Sequence, residues 1–190
     1  MKAVVKLLVL FTCLTFSSGL VQAQLKLNFN NTISGDIKKV IDDYPSHFEN
    51  IKGELIIENP QSADYACNFK VTGAETCTIT RYTARKQVIA SWQAVMLTTE
   101  SFEDAKKKFK TYYNQLNNLA IKSMRLKGVY ETPLEEIKFT SVIFSFDQED
   151  ATMSKLRVEL VIEAEQMDWK VRILVYDRDR NDEERGKVIE

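Results

Sequence analysis

The sequence predicts an α+β fold in which two helices cover one face of a large antiparallel β-sheet. One pattern occurs twice along the 190 residues: an amphipathic helix is followed by several strand-like runs of alternating polarity. Helical and strand-like segments stand in separate blocks instead of alternating one by one. That order favours an antiparallel sheet over a parallel one built from strand–helix–strand units.

The second observation is an internal repeat. The stretch Asp104–Leu119 aligns without a gap on Asp36–Ile51, with coincident Asp, Lys, Tyr and Asn residues and coincident apolar positions at helical spacing. We therefore predict two tandem repeats of one helix plus up to four strands, at about residues 33–98 and 100–177. Two later landmarks recur in the same order: Pro60 matches Pro133, and Trp92 matches Trp169.

This twofold order of one helix and four strands resembles the topology of the β-lactamase inhibitory proteins and of some small periplasmic interaction modules. The resemblance is one of topology and includes no shared motif. It implies an antiparallel α+β fold, and it assigns no role to any residue, because a fold does not determine a function.

The first 23 residues read as a signal peptide. Lys2 and Lys6 supply the charged start, Leu7–Leu14 is the apolar stretch, and Val21-Gln22-Ala23 is the cleavage signal. The apolar run is too short to span a bilayer, which takes about 20 residues. The residues before Cys13 are not the small ones expected of a lipidated cysteine, so we expect an exported protein, periplasmic or secreted.

Residues 24–177 are expected to form a single domain, and residues 178–190 a charged C-terminal tail. Without the signal peptide, 24 basic and 27 acidic side chains remain, a net charge of −3. This balance gives no basic stripe for nucleic acid and no polybasic patch for anionic lipid. No later segment is apolar enough for a transmembrane span.

In the first half, the helix is expected to begin near Ser34 as its N-cap and to end near Tyr44. Pro45 cannot donate the backbone hydrogen bond that a helix interior needs, although a short helical turn can restart there. Four strand-like runs follow: Glu54–Glu58, Tyr65–Val71, Glu75–Thr83 and Gln87–Thr98.

In the second half, Ser101 and Asp104 form a capping-box-like start for the second helix. Ile137–Phe146 carries apolar residues on both faces, which predicts a central strand of the sheet. A tight turn is expected at Met167-Asp168, between the last two strands. The remaining runs are Ile121–Tyr130, Lys155–Glu165 and Trp169–Asp177.

Two cysteines, Cys67 and Cys77, remain in the mature chain and are predicted to form a disulfide. They are equidistant from Thr72. A three-residue loop, Val71-Thr72-Gly73, would place them directly opposite each other on neighbouring antiparallel strands, within reach of a disulfide at a non-hydrogen-bonded pair. The alternative is a pair of buried thiols that act as small apolar groups.

Few residues suggest catalysis or metal binding. His47 is the only histidine, so a histidine zinc site within one chain is excluded, and a surface position is expected. Residues 177–188 resemble a calcium loop but lack its Gly and its bidentate Glu. The acidic pairs that a carboxylate-based hydrolase would need are Asp42-Asp43, Glu135-Glu136 and Glu163 with Glu165.

Aromatic residues offer a different role, the recognition of a partner. Trp92 and Trp169 sit on matching strands and are expected in the core, while the candidates for exposed recognition aromatics are Tyr82, Tyr112 and Tyr113. We therefore expect an exported, non-catalytic binding module without a cofactor, whose ligand is an unknown protein or small molecule. A carboxylate-based hydrolase and a carrier of a small apolar ligand are the alternatives.

Overall fold

The structure, a computed structural model, describes residues 33–82, 89–146 and 153–178. These residues form one antiparallel sheet of nine strands together with two α-helices, which confirms the predicted α+β class. In this part of the chain, neither helix has the length and apolar character needed to cross a bilayer. Outside the described residues lie the predicted signal peptide, the tail beyond residue 178 and all but the first two positions of the calcium-loop-like stretch.

Helix α1 spans Ser34–Asp43 and is followed by a single 3₁₀ turn, Tyr44–Ser46. The predicted end near Tyr44 is therefore confirmed. The N-cap position is held by Ile33, and no side chain caps the first turn, so the prediction of Ser34 as N-cap is wrong. The chain leaves the turn through His47 at φ 53°, in the left-handed region, so the helix does not continue.

Four strands follow in the first half. Strand β2 ends at Cys67, four residues before the predicted Val71, because the chain then forms a turn in which the Ala74 N–H donates to the Val71 carbonyl at 3.0 Å. Gly73 supplies the positive φ, 79°, that this turn requires. The strands are β1 (Lys52–Glu58), β2 (Ser62–Cys67), β3 (Thr76–Tyr82) and β4 (Ile89–Thr99).

Helix α2 spans Phe102–Leu116 and begins as predicted. The Ser101 hydroxyl accepts a hydrogen bond from the Asp104 N–H at 3.2 Å, which satisfies one of the free donors of the first turn. Its apolar face is buried at helical spacing, as expected for an amphipathic helix packed on a sheet. The buried residues of this face are Phe102, Ala105, Phe109, Tyr112 and Leu116.

Five strands form the second half. The expected single strand Ile121–Tyr130 is instead a short hairpin of β5 and β6, because Lys122 adopts a positive φ of 55° and the chain turns back. The last hairpin turns at Gln166-Met167, one residue earlier than predicted, since Glu165 pairs with Asp168. The strands are β5 (Ala120–Ile121), β6 (Met124–Lys127), β7 (Phe139–Phe146), β8 (Leu156–Glu165) and β9 (Asp168–Asp177).

The strands lie in the order β1-β2-β3-β4-β9-β8-β7-β6-β5. The last strands of the two halves, β4 and β9, meet in the middle, where Val95 lies opposite Arg172. Strand β7, predicted to be central, has a neighbour on each side. It pairs with β8 along Phe139–Phe144, but β6 reaches it only at Ser145 and Phe146.

Both helices contribute to one continuous apolar cluster with the sheet. Trp92 is fully buried in this cluster and Trp169 is 8% exposed, so their predicted core positions are confirmed. Trp169 packs its ring against Phe102 of α2, with ring centroids 4.8 Å apart. Contacts of this kind between aromatic rings add to the free energy gained by burying their area.

A close approach of the backbone to the core occurs at Gly128. A Cβ at this position would lie 2.7 Å from Cδ1 of Phe144 and 2.8 Å from Cγ1 of Val142, both in buried side chains. We expect Gly128→Ala to lower the free energy of unfolding by about 1–3 kcal/mol through overpacking. Urea denaturation measures this change.

The matched control is Gly35→Ala in α1, where a new Cβ would meet no atom within 4 Å. Here we expect a gain of at most about 1 kcal/mol, since Ala restricts the unfolded chain and favours helix. Equal urea midpoints for the two variants would contradict the described packing of Gly128.

Candidate functional site

The large apolar side chains that remain exposed are concentrated in two segments of the chain. Of the nine in the described residues, three lie in β1 and five lie in β7 or in the segment before it. Isolated exposed apolar residues are ordinary, whereas a group at one place marks a contact surface. The nine are Leu55, Ile56, Ile57, Val129, Leu134, Ile137, Phe139, Ile143 and Met167, the last in a hairpin turn.

Strand β1 forms one edge of the sheet. Leu55, Ile56 and Ile57 are consecutive, and each is more than half exposed. The pairing of β1 with β2 shifts register twice, around Leu55, so the strand is bulged and cannot present one regular row of backbone groups. Bulges of this kind protect an edge against the addition of a further strand. The β1 edge therefore forms an apolar ridge.

Strand β7 carries part of the second group of exposed apolar side chains. Its pairing with β8 runs without a register shift, and its other side is free of any described strand along Phe139–Ile143. Phe139 is 53% and Ile143 is 47% exposed, while Val142 between them is buried in the core. The stretch Phe139–Phe146 contains no charged residue, Pro or Gly. Gly128, just beyond β6, lies against Val142 and Phe144, so the connection between β6 and β7 borders this side of the strand.

Beside β1 lies a surface groove with a volume of about 590 Å³. It is bounded by residues at the end of the β2–β3 hairpin and by Ile56 of the apolar ridge, so groove and ridge are continuous. Its lining includes Ile56, Cys67, Phe69, Lys70, Glu75 and Cys77.

The two cysteines of this groove lie opposite each other. Ala66 pairs with Thr78, and continuing this register by one residue places Cys67 against Cys77. The turn between them is the four-residue type described above and not the predicted three-residue loop, although the register is the same. In the structure both are free thiols, half-buried at the margin of the core, so the disulfide stays a prediction.

The two thiols share a hydrogen bond, which separates their acidities. This bond, together with burial, raises the pKa of Cys67 far above the ordinary range of a thiol. The same bond lowers the pKa of Cys77 to about 7, with help from the Val71 N–H and the charge of Lys70 and against the opposing effect of burial. Cys77 is therefore the more nucleophilic thiol at neutral pH.

The reactivity of the reduced protein follows from this asymmetry. We expect the rate of alkylation of Cys77 by iodoacetamide to be half-maximal near pH 7, below the ordinary thiol value of about 8.5. Cys67 should react much more slowly over the same range. Peptide mass spectrometry after labelling between pH 6 and pH 9 measures both rates.

Cys67→Ala is the matched variant for this experiment, because it removes the hydrogen bond that lowers the pKa of Cys77. Its alkylation midpoint should move upward, towards the ordinary value of a thiol. The assignment of Cys77 as the acidic thiol is wrong if the reduced wild-type protein alkylates Cys67 first.

The three tyrosines proposed for recognition are not brought together. Tyr112 is 3% exposed and packs in the core, so the expectation that it is exposed is not met. Tyr113 is half-buried and donates its hydroxyl to the Gly128 carbonyl at 3.1 Å. Tyr82 is half-buried at the end of β3. Helical spacing placed Tyr112 on the apolar face of α2, a signal that the sequence already contained.

The predicted acidic pairs differ in their surroundings. Asp43 is buried and accepts hydrogen bonds from the N–H and side chain of Asn50, while Glu163 and Glu165 form ion pairs with Arg172. Glu135 and Glu136 are exposed and have no ion-pair partner among the described residues. His47 is exposed, as predicted. In the described part of the chain, no three acidic, Cys or His residues converge as a metal site would require.

No family model, curated protein or solved structure shows a significant match to this chain.

Proposed function

We propose that the protein is an exported, non-catalytic binding module whose ligand is another polypeptide, bound at the exposed apolar groups in and beside β1 and β7. One observation carries this proposal. Eight of the nine exposed large apolar side chains in the described residues lie in β1, in β7 or in the connection before β7. Apolar groups clustered in this way are the surface that another chain recognises.

The geometry favours a polypeptide ligand over the two alternatives. The groove beside β1 is open to solvent, whereas a carrier buries most of the surface of its small apolar ligand. A carboxylate hydrolase needs two acids that converge on one cleft. Asp43 and Glu163 are instead engaged by neighbouring side chains in separate parts of the fold.

The same proposal includes two tandem repeats, with both helices on one face of the sheet. The central pair Val95 and Arg172 is separated by 77 positions, as are Trp92 and Trp169. A twofold arrangement of two equal halves would give this equality. Support for one helical face comes from the shared apolar cluster, and from the Ile33 N–H, which donates to the Gln115 side chain of α2 at 3.4 Å.

Export and the disulfide are proposed together. The N-terminal pattern of charge, apolar stretch and cleavage signal supports entry into an oxidising compartment, where disulfides persist. The contact between the thiols of Cys67 and Cys77 supports bond formation there without a rearrangement of the strands.

Site-specific photo-crosslinking in the cells that produce the protein tests the binding function. Benzoylphenylalanine is placed at Ile56, at Ile143 or, as the control, at Lys107, which is exposed on helix α2. We expect discrete adducts with one defined polypeptide from Ile56 or Ile143 and none from the control. Adducts of equal yield and pattern at all three positions would contradict the proposal.

A further inference from the structure

The described residues contain two cysteines, Cys67 and Cys77, and the fold brings them together. They lie opposite each other on β2 and β3, and their thiols are in hydrogen-bond contact. Neither is fully buried, and both border the groove beside β1, which is open to solvent. A disulfide at such an exposed position is of the labile kind that exchanges with thiols, in contrast to the structural disulfides that resist reduction.

The two thiols differ in which one carries charge. In the hydrogen bond between them, Cys67 keeps its proton and donates to the sulfur of Cys77. The Val71 N–H also donates to Cys77, and the ammonium group of Lys70 attracts its charge against the repulsion of Asp36. Because the thiolate is the form that attacks a disulfide, Cys77 is placed to make the first attack.

A buried donor lies beside Cys67. The indole N–H of Trp92 is fully buried and has no hydrogen-bond partner among the described residues, yet it lies close enough to Cys67 to favour its thiolate. A buried donor without a partner costs free energy, and this one gains a charged partner when Cys67 loses its proton. Trp92 is therefore placed to stabilise Cys67 as the second attacking sulfur.

The groove beside the thiols has the size of a small-molecule site. Lys70 lines it, is exposed and forms no ion pair with another described residue. The carboxylate of Glu75 is instead engaged, because both of its oxygens accept hydrogen bonds from Thr98. The available charge therefore favours a reactant that carries carboxylate groups. A reactant that docks only for the exchange needs no enclosing cavity.

We propose that Cys67 and Cys77 form a thiol–disulfide exchange site for small disulfides that carry carboxylate groups. The thiolate of Cys77 attacks one sulfur of the small disulfide RSSR, so that a Cys77–S–S–R bond forms, the S–S bond of RSSR breaks, and the released RS⁻ takes up a proton. Cys67 then attacks the Cys77 sulfur, which forms the Cys67–Cys77 disulfide, and its proton goes to the second RS⁻ that leaves. The protein loses two electrons and RSSR gains them as two RSH, while the reverse reaction with two RSH reopens the disulfide.

This inference goes beyond the proposed polypeptide binding and uses the proposed disulfide as its oxidised state. The fully reduced protein is mixed with oxidised glutathione at neutral pH, quenched with acid and analysed by intact mass. The wild-type protein should pass through a mixed disulfide and end with the Cys67–Cys77 bond. Cys67→Ser, which keeps a hydrogen-bond donor beside Cys77, should accumulate the mixed disulfide. Cys77→Ser should react at least about tenfold more slowly.

Two further variants separate the roles of Trp92 and Lys70. Trp92→Phe should prolong the lifetime of the mixed disulfide and leave the rate of its formation unchanged, since the indole acts on Cys67. Lys70→Gln should slow the reaction with oxidised glutathione more than the reaction with hydroxyethyl disulfide, which is uncharged. Lys107→Gln, exposed on α2, is the matched control and should react as wild type.

Circular dichroism shows whether each variant is folded, and Cys67→Ala with Cys77→Ala repeats the comparison where a serine variant is not. Equal rates for the two single cysteine variants would refute Cys77 as the attacking thiol. A folded protein whose disulfide is not reopened by reduced glutathione holds a structural bond, which refutes this inference alone. A wild-type protein that never closes the Cys67–Cys77 bond refutes both this inference and the proposed disulfide, and leaves the polypeptide binding to the crosslinking experiment.

Discussion

Trp92→Ala is expected to lower the free energy of unfolding by about 3–5 kcal/mol, among the largest effects of any single substitution in this protein. The side chain is fully buried at the middle of the sheet, opposite Val175 of β9 and Ile79 of β3. Truncation leaves a cavity between the two halves. Urea denaturation followed by circular dichroism measures the change.

Trp92→Phe refines this test. The indole N–H of Trp92 is buried and makes no hydrogen bond of regular geometry in the structure, although it lies close enough to Cys67 to favour its thiolate. Phe keeps most of the apolar contact and removes the unpaired donor, so it should cost much less than Ala. Met167→Ala, at a highly exposed position, should change stability by less than about 0.5 kcal/mol. A loss for Trp92→Ala as small as that for Met167→Ala would contradict the central position of Trp92.

Oxidation of Cys67 and Cys77 to a disulfide is expected to raise the free energy of unfolding by about 2–3 kcal/mol. In the chain-entropy model, this gain comes from restricting the short loop between the two residues in the unfolded chain. The opposed register of β2 and β3 allows the bond without a shift of either strand. The urea midpoint of the exported protein should therefore fall when a reductant is added.

The double variant Cys67→Ser with Cys77→Ser is the control, and its midpoint should not respond to reductant. Intact-mass measurement of the exported protein, alkylated after denaturation without reduction, tests the bond itself. No added alkyl groups are expected. Two alkylated cysteines in that sample would refute the disulfide.

The sequence was sufficient for the fold class and most elements because each depends on local signals. The stop at Pro45, the cap at Ser101 and the alternation of β8 and β9 are properties of short stretches. The register of Cys67 against Cys77 followed from their equal distance to the turn, even though the turn type was different.

The candidate site could not be predicted from the sequence because it depends on which face of a strand stays uncovered. Phe139 and Ile143, with Val142 between them, gave β7 two apolar faces, the usual sign of a central strand. The structure buries Val142 and leaves Phe139 and Ile143, on the opposite face, about half exposed. An apolar face that the fold leaves uncovered is the feature that points to a partner.

Hydrogen–deuterium exchange of the free protein tests most directly the claim that Phe139–Ile143 of β7 pairs with a strand on one side only. Strand β9 has a strand neighbour on each side, whereas this stretch has one in the described residues. We expect the amides of this stretch that point away from β8 to exchange faster than those of β9. Free protein in which the amides of β7 are as protected as those of β9 would contradict the account.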